Sequence, residues 1–90
     1  MLEAKNAQRE IRKGYEARDL LEQPLLVDAF CALKARYVSE WQLATDVHVR
    51  EKCWHAMQAL VEVELALREL VMSGEMALSQ QEQMERTRDE

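Results

Sequence analysis

An all-α fold is what this 90-residue sequence predicts, and three observations lead there. Ala, Leu, Glu, Gln, Arg and Met, the strong helix formers, dominate the chain. It holds 2 Gly and 1 Pro, too little turn material for a multi-stranded fold. Apolar residues recur at steps of three and four instead of alternating. With 48% hydrophobic and 32% charged residues the chain is too apolar to stay disordered, and its length allows one domain at most.

Residues 1–23 predict a weaker N-terminal helix. Ala4, Ala7, Ile11, Tyr15 and Arg18 share a face, yet only Ile11 and Tyr15 are large and apolar, and Gly14 costs about 1 kcal/mol relative to Ala. Such a segment is helical when docked and frays over about 1–20 when not. Pro24 ends it, because proline breaks a helix interior and suits a helix start. The next helix spans about 24–42, with Leu26, Phe30, Leu33, Tyr37 and Trp41 on one face. Thr45 and Asp46 are favoured caps, which places a turn at about 43–46 and a third helix over about 47–73. Gly74 reads as its stop. A single helical domain over 1–78 is therefore expected, with a polar, disordered tail over 79–90.

The second and third helices predict an antiparallel hairpin. Its seam is expected from Phe30, Leu33, Tyr37 and Trp41 on one arm and Trp54, Met57, Val61 and Leu65 on the other. These eight are the core-or-interface set. The two tryptophans lie near the turn and are expected close together. The third helix is apolar over more than half its circumference, whereas one neighbour covers a stripe of roughly 100°. Either the first helix closes a three-helix bundle, or a second chain completes a four-helix bundle. The pattern favours a homodimer.

Catalysis is not expected. Cys53 and His55 stand two apart on a helix and point in different directions, and His48, Cys53 and His55 lack the three- and four-residue spacings of helical metal ligands. Two glycines cannot build a phosphate-cradling loop. Glu62, Glu64 and Glu69 read as a solvated face, with Glu64 and Arg68 as an i,i+4 pair. No catalytic, cofactor or metal residue is assigned. The net charge of −5 disfavours nucleic acid, although Arg9, Arg12, Lys13, Arg18, Lys34 and Arg36 form a candidate contact set. No run reaches the roughly 20 apolar residues of a membrane span, and the opening MLEAKNAQRE has no signal-type apolar stretch. Cys31 and Cys53 are thus expected as reduced thiols.

From Leu20 to Ala77 the chain resembles a group of small helical proteins, mostly of unassigned role, encoded by tailed bacteriophages and prophages. The shared features are Leu20, Leu21 and Pro24, then Ala29, Phe30, Leu33, Tyr37 and Trp41. Thr45, Arg50, Glu51 and Trp54 follow, before a helix of spaced Leu and Val closing at Gly74. The resemblance implies a phage or prophage protein of the bacterial host cytoplasm, free or virion-associated, and carries over no catalytic residue. Three functions are weighed. The first is an assembly or accessory factor working through helical contacts with itself or with another phage or host protein. The second is a host-directed inhibitor or anti-defence protein acting through an acidic surface, and the third a DNA-associated packaging or regulatory protein.

Overall fold

The computed structural model describes residues 2–89, with side chains from Asn6 to Arg88. Over these residues the protein is all-α: α1 runs Leu2–Glu22, α2 Pro24–Leu43 and α3 Val47–Asp89. The chain divides into two compact units, one built from residues up to Leu21 with Ala66 onward, the other from Glu22–Leu65.

The helix boundaries follow local chemistry. Gln23 holds an extended backbone (φ −68°, ψ 116°), as the residue before proline must, and Pro24 opens α2. The Val27 amide donates to the Gln23 carbonyl at 3.0 Å, and at the far end the Ala44 amide donates to Glu40 at 2.9 Å. Asp46 caps α3: its Oδ1 accepts from the His48 amide at 2.8 Å, and its carbonyl accepts from Arg50 at 3.1 Å.

In the Glu22–Leu65 unit, α2 turns Leu26, Phe30, Leu33 and Tyr37 inward, each half-buried. The opposing stripe of α3 is Cys53, Met57, Leu60 and Glu64, spaced four, three and four apart. Cys53 is 5% exposed and is the buried apolar residue of this unit. The stripe corrects the expected seam by one residue: Met57 lies on it, but Trp54, Val61 and Leu65 stand beside it and remain 49%, 38% and 49% exposed. The polar Glu64 is tolerated in this stripe because α2 supplies a counter-charge, described below.

The other unit corrects the reading of Gly74. No described glycine has positive φ, and α3 continues through Gly74 to Asp89, so the expected stop and the expected disordered tail give way to helix. The glycine serves a helix crossing instead. A Cβ at Gly14 would lie 3.0 Å from Gly74 Cα and 3.1 Å from the Leu70 carbonyl, while a Cβ at Gly74 would lie 3.0 Å from Gly14 Cα and 3.0 Å from the Glu10 carbonyl. The two sets of contacts mirror one another. Burial does as well: Ile11, Gly14 and Ala17 match Val71, Gly74 and Ala77, with Ala17 at 2% and Ala77 at 5% exposed. An Ile/Val-x-x-Gly-x-x-Ala pattern thus occurs twice, invisible as a sequence repeat, and α1 and α3 cross antiparallel about a local pseudo-two-fold.

Because backbone cannot give way, Gly14→Leu should destabilise the protein by about 1–3 kcal/mol, despite leucine's better helix propensity. Denaturant unfolding followed by circular dichroism checks this, and an unchanged or raised midpoint would contradict the close crossing.

Candidate functional site: an exposed apolar face

The surface of the Glu22–Leu65 unit is where polar pairing and apolar exposure meet. On α2, Lys34 follows Leu33 and reaches across to Glu64. Glu64 is 18% exposed at its side chain, Lys34 37%, and one Glu64 oxygen is wholly screened from water. A carboxylate in a helix seam needs such a partner, because an unpaired one keeps the full desolvation cost. Glu64 is therefore not the solvated residue expected, nor does it pair with Arg68. Glu62 and Glu69 do face solvent.

Nearer the turn, Glu40 Oε1 accepts from Arg36 Nε at 3.0 Å, and Glu40 Oε2 lies 3.9 Å from the Cys53 thiol. The hydrogen bond from Arg36, together with the Glu40 charge, holds the guanidinium above its ordinary pKa. Arg50 sits 4.6 Å from the centroid of the Trp41 ring, a cation–π contact. Contacts of Lys34 with Glu64, Glu40 with Cys53 and Trp41 with Arg50 step up α2 as they step down α3.

Trp41 and Trp54 are brought to one side of the unit, where they line a shallow depression with Val47, Arg50 and Glu51. Their rings do not stack on each other. Trp54 meets His55 edge-on, with centroids 5.2 Å apart at 74°, and Trp41 takes Arg50. From Trp54 the exposed stripe continues along α3 to Val61 and Leu65. Of the eight residues assigned to core or interface, Phe30, Leu33, Tyr37, Trp41 and Met57 are half-buried within the chain, and Trp54, Val61 and Leu65 lie outside it. The seam expected from the sequence leaves out Cys53, Leu60 and Glu64, the first two of which the sequence counts only among the apolar positions of the third helix. The signal was present as an unbroken four–three spacing, masked by the larger residues beside it.

Half of the candidate basic set is held in ion pairs. Arg18 pairs with Glu75, Lys34 with Glu64 and Arg36 with Glu40. Cys31 is exposed and Cys53 buried, both as free thiols. Among the described residues no three His, Cys, Asp or Glu side chains gather as a metal site, and no helix is long and apolar enough to cross a membrane. Comparison with protein families, curated proteins and solved structures returns no match.

Removing the ammonium alone should cost more than removing both charges. Lys34→Met is expected to destabilise by about 1–2 kcal/mol, below the roughly 3–5 kcal/mol of a fully buried pair because Lys34 is partly solvated. Lys34→Met combined with Glu64→Leu should recover wild-type stability or exceed it. If the double variant is the weaker of the two in urea unfolding, Glu64 is not an uncompensated seam charge.

Proposed function

We propose that this protein works by helical protein–protein contact, first with a second copy of itself, as a non-enzymatic assembly or accessory factor of the phage type its sequence resembles. In this reading α2 and the first half of α3 form a hairpin, and two hairpins pack as a four-helix bundle about a two-fold axis in the host cytoplasm. The observation that carries it is the placement of Trp54, Val61 and Leu65 on the open side of α3, where each keeps more than a third of its surface in water.

Magnitudes support an interface over idle exposure. Fully burying a large apolar side chain is worth about 1.5–3 kcal/mol, so covering a half-exposed one gains about 1 kcal/mol. Association costs roughly 4–15 kcal/mol in lost freedom. Val47, Trp54, Val61 and Leu65 of two chains together supply a gain of that order, and Trp54 is the residue type most often dominant in such contacts. An isolated pair of helices with so little buried apolar volume also needs help to stay folded.

The test is molar mass in solution, by size-exclusion chromatography with light scattering over a dilution series. Twice the chain mass, falling toward the chain mass on dilution, is expected. A single-chain mass at every concentration would remove the self-association reading.

A further inference from the structure

We infer that α1 caps a face of α3, centred on Gly74, that the α3 of a second copy also fits. This concerns only the unit built from residues up to Leu21 with Ala66 onward, and it does not depend on the hairpin face proposed above. The contact between α1 and α3 has the geometry of a dimer interface made inside one chain. A Cβ placed on either glycine would lie 3.0 Å from the other's Cα, and each would meet the carbonyl of the residue four before its counterpart, Leu70 or Glu10. Such reciprocity is what a two-fold axis imposes on like surfaces, where residue i meets j as j meets i. A helix that matches α1 position for position can therefore take its place.

The matching helix is α3 itself. Val71, Gly74 and Ala77 correspond to Ile11, Gly14 and Ala17, and the burial of the two runs agrees residue by residue from Ile11 to Leu21 and from Val71 to Gln81. Where α1 has Ala7, Glu10 and Arg18, α3 has Leu67, Leu70 and Leu78, against one loss, Gln81 for Leu21. These leucines stand three or four residues from Val71 or Gly74, on the same side of the helix. Leu70 stays 40% exposed with α1 in place. Two copies of α3 crossing antiparallel about Gly74 set Leu70 of each against Leu78 of the other, and Val71 against Ala77. What α1 offers instead is Arg18, which pairs with Glu75 in a contact that leaves the two side chains 41% and 60% exposed. An ion pair so open to water contributes little. The advantage of α1 is its tether, because an arm on the same chain is present at high effective concentration and needs no second molecule. The cap is held by connection more than by complementarity.

Loosening α1 while leaving α3 untouched tests this. Gly14→Leu drives a side chain into the α3 backbone, and Arg18→Glu sets a carboxylate beside Glu75. Each should free the Gly74 face. Size-exclusion chromatography with light scattering should then give about twice the wild-type molar mass at equal concentration, whatever the wild-type mass is. Adding Gly74→Leu to either variant blocks the face on α3 and should restore the wild-type mass. Circular dichroism checks that α3 stays helical, and Arg18→Glu, at a partly solvated position, carries the test if Gly14→Leu unfolds the chain. Wild-type mass from both α1 variants overturns the cap, as does association that persists undiminished after Gly74→Leu is added. The hairpin-face reading is judged separately, by the mass of the wild type alone.

Discussion

Two helices lying side by side share one seam, and a seam hides a stripe of roughly 100° on each. In this protein that limit meets a helix whose apolar surface is far wider. On α3 the stripe Cys53, Met57, Leu60 and Glu64 faces α2, and the bulkier Trp54, Val61 and Leu65 stand beside it in water. The one carboxylate in the α3 stripe is matched by Lys34.

The same logic takes a sharper form where α1 crosses α3. Gly14 and Gly74 remove every atom that would keep the backbones apart, and Ala17 and Ala77 extend the close contact. Packing of this kind gains dispersion contacts through proximity and needs no large side chain. That explains how a segment whose main helical face offers only Ile11 and Tyr15 as sizeable apolar residues is held as helix, and why Tyr15 can remain 51% exposed.

Much of the secondary structure was legible in the sequence because it is written in local chemistry. Pro24 must open a helix or break one, and Asp46 before an apolar-periodic run must cap. The face Phe30, Leu33, Tyr37 was legible too, having no competing apolar stripe of equal size. Gly74 was misread because a glycine after a long helix signals a stop unless a second glycine far away in sequence sits opposite it. The α3 seam was misread for a related reason. Several apolar stripes compete on α3, and Glu64 argues against its own stripe until Lys34 is seen across from it. Both errors concern pairings distant in sequence, which periodicity along one helix cannot register.

Under the proposed self-association, a second copy of the chain covers the apolar face that Trp54, Val61 and Leu65 leave open beside the seam. The most direct measurement is the fluorescence of Trp54 in a Trp41→Phe background, recorded with acrylamide quenching as protein concentration rises. A blue shift in emission and growing protection from the quencher are predicted, as a half-exposed indole passes into an interface. Constant emission with unchanged quenching across the whole range would contradict the claim that this face is buried by another copy of the chain.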